Sequence, residues 1–269
     1  MLNIHRLFIL IQFELIRIFK TKNGLIALSA FCAVWFILLY YMVSSTEIIF
    51  SDGFKIVAST LFGSLGLNAL LEWPVAEFAI YWLVAVYSFP LFALFVTSDQ
   101  TCSDKARGTL RFITLRATRS EILIGRFLGQ YLIIVALIFL TLVACIALAA
   151  ARDSALLFPA IQQAIVLFIE LSILITPFIA LMSFFNSVLS SAKMSIVVSI
   201  LFYTIGALLI GFIQFRLNSG YFLDYIFPGT QISKVVALEG LDFKHYLIPL
   251  LQTVVLLFVA DKLLKRASI

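Results

Sequence analysis

Apolar residues fill this chain in long unbroken runs, without the one-sided stripe of a water-soluble helix. Five of these, residues 24–43, 78–95, 131–151, 164–185 and 194–215, carry almost no charge over about 20 positions, the length a helix needs to cross a bilayer core. A sixth, 246–264, is interrupted only by Gln252 and by charges at its end. Only helices and closed barrels satisfy their backbone polar groups in lipid. The pattern therefore predicts an all-α, polytopic membrane protein with six transmembrane helices, forming one domain over residues 1–269.

The segments outside these runs read differently. Over residues 1–23, Leu7, Phe8, Ile11, Leu15, Ile18 and Phe19 fall on one arc of a 100° wheel, with Arg6, Glu14, Arg17 and Lys20 opposite. This predicts an amphipathic helix lying in the membrane interface before the first span. Ile9, Leu10, Phe13 and Ile16 intrude on its polar side and are expected to pack on protein. The segment lacks the short basic head of a signal peptide, so it is expected to be retained. Residues 54–71, with Gly63, Gly66 and Asn68, are expected to lie outside at the interface. Residues 216–245, with a Pro228-Gly229 turn, predict short external helices, serving either as a lid or as a surface for an external partner.

Composition fits the same class, with 63% hydrophobic residues and only 12% charged. Charge placement adds orientation. Lys105, Arg107, Arg111, Arg116, Arg119 and Arg126, six of the chain's 19 Lys and Arg, sit in one island between the second and third spans. The opposite side keeps only Lys55, Arg152, Arg216, Lys234 and Lys244. By the positive-inside rule the island is cytoplasmic, both termini with it, in a cell (inner) membrane. The net charge of +5 is where topology and anionic lipid would put it, and it does not indicate nucleic acid.

Catalytic chemistry has no foothold. The two histidines, His5 and His245, are predicted on opposite sides of the membrane, and Cys32, Cys102 and Cys145 have no paired spacing, so neither a metal cluster nor a disulfide framework is indicated. No Gly-x-Ser-x-Gly elbow occurs, and none of the 12 glycines is followed by Lys as a phosphate-cradling loop requires. The chain is read as no enzyme, and any ATP it uses must be hydrolysed by another chain.

The basic island does carry local signals. Thr118-Arg119-Ser120-Glu121 followed by Ile122 is a capping box, predicting a helix that runs on into the third span. Before it, Ser103 or Thr101 is placed to cap a shorter helix with Leu110, Ile113 and Leu115 on one side and Arg107 and Arg111 on the other. Such an element either receives a push from a partner or serves only as a basic hairpin that fixes topology.

The segment SFPLFALFVTSDQTCSDKARGTLRFITLRATRSEILIGRFLG resembles the signature region of ABC type-2 transporter permeases. There, a proline-bearing span leads through an acidic residue to an acidic-basic-x-x-Gly-Thr-Leu motif. Pro90, Asp99, Asp104, Arg107, Gly108, Thr109, Leu110, Arg119, Ile122 and Gly125 occupy the corresponding places. Asp104 stands where the family usually has Glu, Ala117 where a proline is common, and Arg126 where Lys is frequent. The resemblance implies a coupling region over 98–126, in which Asp104, Arg107, Gly108, Thr109, Leu110, Arg111, Arg119 and Glu121, with Glu14 and Arg17 of the N-terminal helix, face a cytoplasmic ABC ATPase. It also implies a second permease subunit, expected to be a copy of this chain, and no cofactor on this chain, ATP and Mg being held by the ATPase.

Within the spans Glu170 stands out, because an ionised carboxylate near mid-membrane must face protein or water or be protonated. It is either a contact in a translocation path or a structural hydrogen-bonding group, with Gln214 or Ser172 as partners. Pro177 should kink the same helix, and Gly125-x-x-x-Gly129 permits a close helix approach. The functional expectation is the permease subunit of an ATP-driven exporter. The alternatives are a permease that passes motion to an extracytoplasmic protein without cargo, and an ATP-independent channel or scaffold.

Overall fold

The structure, a computed structural model, describes residues 3–43, 73, 75–217, 223–229 and 243–266. Among them the secondary structure is helical, without strands. Helix α1 (Ile4–Lys20) starts at Asn3, whose side chain accepts from the His5 amide. It ends at Thr21, which is extended and at once caps α2 (Lys22–Ile37) by accepting from the Gly24 amide. One residue thus makes the corner between the two helices. Gly24 is required there, because a Cβ would collide with the Ile18 carbonyl.

After α2 the chain continues in a π-helical turn, Leu38–Val43. Next come α3 (Ala76–Val96), a 3-10 turn Thr97–Asp99, and two short helices, α4 (Cys102–Ala106) and α5 (Leu110–Thr114). Helix α6 (Arg119–Arg152) has 34 residues, or about 51 Å at the helical rise. A bilayer core is only about 30 Å thick, so α6 extends well beyond it as a platform. The fourth span is α7 (Leu157–Leu174) followed by α8 (Thr176–Val188), interrupted at Ile175 where Pro177 lacks an amide donor. Helices α9 (Ala192–Leu217), α10 (Leu223–Ile226) and α11 (Phe243–Arg266) complete the described chain.

Among the described residues, six stretches are long and apolar enough to cross a membrane: Gly24–Tyr41, Glu77–Ala106, Arg119–Arg152, Ser154–Val188, Ala192–Arg216 and Tyr246–Arg266. The chain is a multi-pass membrane protein. The predicted segment 54–71 and most of the outer segment 216–245 lie outside the described residues.

The core sits where α3, α6, α7 and α8 meet, around Phe78, Trp82, Phe89, Ile134, Ile138, Leu167, Leu171 and Ile175, all buried. Phe31 and Trp35 of α2 join it through aromatic contacts to Phe89, with ring centroids 5.9 and 5.1 Å away. By contrast, α2 and α9 each bury only 11% of their apolar window, against 67% for the α7–α8 span. Their outer faces are free to meet lipid.

Hydrogen bonds fix which helix ends lie together. The Asn3 amide donates to Glu121 at 2.9 Å, and Arg119 Nη1 donates to the Leu264 and Lys265 carbonyls at 2.7 and 3.0 Å. The beginning of α1 and the end of α11 therefore share the end of the bundle that carries the basic island. At the other end, Arg152 closes α6 with an ion pair to Glu77 at the start of α3, 3.0 Å apart.

Helix α1 does not use its faces as the wheel alone suggests. Leu10 packs beside Leu110, Ala117 and Ile122, while Ile9, Phe13 and Ile16 are exposed. Its most buried residues are Glu14 and Ile18. Glu14, with Arg17 half-buried beside it, faces protein because α6 offers it an arginine and a glutamine, while Arg6 and Lys20 stay exposed and the phenylalanines face outward where lipid can take them.

Candidate functional site

Two glycines of α6 let α1 approach. A Cβ on Gly125 would lie 2.7 Å from that of Leu10, and one on Gly129 would lie 2.6 Å from that of Glu14. The close approach places Glu14 beside the next polar positions of α6. Gln130 Nε2 donates to Glu14 Oε2 at 2.8 Å, Arg126 Nε stands 3.7 Å from Glu14 Oε1, and Arg17 Nη2 lies 3.3 Å from Oε2. Arg126 is fully buried and also pairs with Asp104 of α4, which in turn accepts from Thr109 Oγ1 at 2.8 Å. Arg17 Nη2 donates to the Asp99 carbonyl at 2.7 Å. One buried arginine thus ties α1, α4 and α6 together. Burial pushes the Glu14 carboxyl above its ordinary value of 4.5, outweighing the opposing pull of Arg17, Arg126 and Gln130.

A second carboxylate works at the helix starts. Glu121 closes the predicted capping box of α6, accepting from the Thr118 amide at 2.8 Å while Thr118 Oγ1 accepts from the Glu121 amide. Its other oxygen accepts from the Asn3 amide, so it caps α1 as well, with Arg6 3.9 Å away. Arg119 closes the last turn of α11, and Ser120 Oγ donates to Asp261 at 2.6 Å. The first turn of α6 therefore gathers the starts of α1 and α6 and the end of α11.

Between α3 and α6 the chain makes two short helices where the sequence suggests one. Gly108 divides them with a φ of +70°, a left-handed conformation that glycine adopts without strain. Thr101 stands at the N-cap position of α4 but its side chain does not cap it; Asp99 does, accepting from Ser103 N and Oγ, both at 2.8 Å. This segment docks on the end of α8. Lys105 Nζ donates to the Asn186 and Ser187 carbonyls at 2.6 Å each, and Thr101 Oγ1 to the Asn186 carbonyl at 2.9 Å. Leu110 is buried beside Ala117 and Ile122. Phe112 and Leu115 point away, 72% and 82% exposed, as do Arg107, Arg111 and Arg116.

Of the residues read from the sequence, Glu14, Arg17, Asp104 and Thr109 come together through Arg126. Glu121 and Arg119 form the helix-end junction beside them, Gly108 and Leu110 shape the α4–α5 unit, and Arg107 and Arg111 lie on its surface. The sequence marks Arg126 only as part of the basic island and as a replacement for a frequent Lys, and does not mark Gln130, although both follow directly on the two small residues Gly125 and Gly129, which is where a neighbouring helix must face them. Glu170 is remote from this group. It accepts from Tyr246 Oη of α11 at 2.6 Å, a partner on a different helix from either candidate.

Neither a protein-family model nor a curated protein matches this chain. The site is a braced pair of short helices with an exposed apolar tip amid cations.

Proposed function

We propose that this chain is the membrane subunit of an ATP-driven exporter of the ABC type-2 kind, coupling hydrolysis by a separate cytoplasmic ATPase to movement of substrate across the cell membrane. The observation that carries the reading is the tip of α5. Phe112 and Leu115 stand out from the bundle, flanked by Arg107, Arg111 and Arg116, on a segment held from behind by the Arg126 network. Large apolar side chains so exposed among charges fit a partner surface. Water offers them nothing, and a partner surface with apolar pockets and acids would cover both them and the arginines.

In this reading the basic end faces the cytoplasm and two permease subunits work with two ATPases. Movement of the ATPases pushes on α5. The push reaches α6 through Asp104 and Arg126, and α1 through Glu14, so that α1, α4, α5 and the base of α6 move together. Glu170 and Tyr246 lie in the fourth and sixth spans, where a polar pair can meet cargo.

The test is co-purification of the full chain in mild detergent, with an ATP photoaffinity probe to mark any bound ATPase. A labelled ATPase should accompany the wild type in stoichiometric amount and be lost from Phe112→Glu with Leu115→Glu. Recovery of the same labelled ATPase with both variants present, or its absence from the wild type, overturns the proposal.

A further inference from the structure

The fourth span is one helix in length but two in bonding. Pro177 has no amide to give the Ile173 carbonyl, and the Phe178 amide bonds back only three residues, to the Ile175 carbonyl at 3.2 Å. Thr176 Oγ1 takes over the Ile173 carbonyl, donating to it at 2.8 Å. That carbonyl is thus paired without the backbone bond that would resist bending, and α8 can change its angle to α7 at small cost.

The tie between α8 and α11 at this break is equally easy to release. Thr253 Oγ1 of α11 stands 2.9 Å from Thr176 Oγ1 and 2.7 Å from the Pro249 carbonyl of its own helix, and both threonines are buried. With the contact from Thr176 to Ile173 this makes three contacts for two hydroxyl protons, so one contact is always without a proton. Each threonine can fall back on a carbonyl of its own helix, and the helices can part here with neither hydroxyl stranded. An ordinary buried pair between helices would leave both unpaired on parting.

The two ends of the span are held differently. On the outer side, Tyr246 Oη donates to Glu170 at 2.6 Å and pins α7 to α11. At the basic end, Thr101 and Lys105 of the α4 segment donate to the Asn186 and Ser187 carbonyls, which the end of a helix leaves open. Asn186 Nδ2 donates back to the Thr97 carbonyl at 3.2 Å. The last turn of α8 is therefore clamped to α4. Helix α9 follows after residues 189–191, and its outer face meets lipid, which yields to movement.

We infer that α8 swings as a rigid lever about Ile175, carried at its basic end by α4 and parting there from α11, which opens the seam between the two helices toward Glu170 and Tyr246. The swing belongs to this chain alone and stands whether or not an ATPase docks on α5.

The test measures distances in the purified full chain in lipid nanodiscs. Spin labels at Val188→Cys and Lys262→Cys, both exposed at the basic ends of α8 and α11, read the seam by pulsed electron resonance. Cys32 is replaced by Ser, whereas Cys102 and Cys145 are buried and stay unlabelled. This otherwise wild-type background should give two distances. Pro177→Ala restores the missing amide and should leave only the shorter. Thr253→Val keeps the shape and removes the tie, and should raise the ratio of the longer to the shorter about threefold to tenfold, the value of one hydrogen bond. A second label pair, Arg111→Cys with Val188→Cys, reads the clamp. It should give one narrow distance, broadened by Lys105→Met and narrowed again by Lys105→Arg. A single seam distance in the background overturns the pivot, and needs no variant that must first be shown to fold. Two seam distances that Pro177→Ala leaves unchanged place the motion elsewhere and overturn it too. No effect of Thr253→Val overturns the release, and a clamp distance indifferent to Lys105→Met overturns carriage by α4.

Discussion

Arg126 of α6 stands 3.7 Å from Glu14 of α1, and both are almost wholly removed from solvent, at 2% and 1% exposure. With Asp104 on its other side, the guanidinium compensates two carboxylates at once. Removing one member of such a buried set strands the others, at about 3–5 kcal/mol. Arg126→Met should therefore lower the thermal unfolding midpoint in detergent sharply. Adding Glu14→Gln and Asp104→Asn to it should recover most of the loss, since a neutral network carries no stranded charge. If the single variant melts like the wild type, the arginine does not bind the three helices together.

The same contact depends on the absence of a side chain at Gly129. A Cβ there meets Glu14 Cβ at 2.6 Å and Cγ at 3.1 Å, and α1 has to move to admit it. Overpacking of this kind costs about 1–3 kcal/mol. Gly129→Ala should loosen α1, seen as faster tryptic cleavage after Arg17 and Lys20. Gly211→Ala is the control, because a Cβ at that position meets nothing within 4 Å.

Six long apolar helices were legible in the sequence because lipid imposes a length and an apolar composition on each, but helices such as Arg119–Arg152 run well past the apolar stretch that marks them, here 131–151. The capping box was legible too, since its partners lie three residues apart. The second duty of Glu121 was not, because the Asn3 amide it accepts from is 118 positions away. The inward face of α1 is hidden from the sequence for a related reason. A wheel sorts residues by polarity, but Glu14 turns inward only because Arg126 and Gln130 wait for it on another helix. Asp99 displaced Thr101 and Ser103 as the cap of α4 because the 3-10 turn brings its carboxylate over the Ser103 amide, a geometry that spacing alone does not reveal.

Glu121 joins two helix starts, so its loss should be felt at both. Each missing cap is worth about 1 kcal/mol. In Glu121→Ala, hydrogen exchange should quicken over the first turns of both α1 and α6. Thr118→Ala removes only the reciprocal half of the capping box and should quicken exchange at α6 alone. Identical protection patterns in the two variants would count against a shared cap.

The Glu14 carboxyl gives the bundle a pH dependence of definite sign. Burial raises it above the 4.5 it has in an unfolded chain, so between those two values the folded protein holds more protons than the unfolded one. Stability from this group is then fully present below 4.5 and is lost as pH rises through the folded value. Glu14→Gln keeps the shape and removes the titration. The melting midpoint of the wild type, taken relative to that of Glu14→Gln at each pH, should fall as pH is raised from about 4.5 and level off once the carboxylate is ionised in both states. A difference that instead grows with pH would mean that Arg126 and Arg17 outweigh burial, and that the ion pair holds Glu14 charged in the fold.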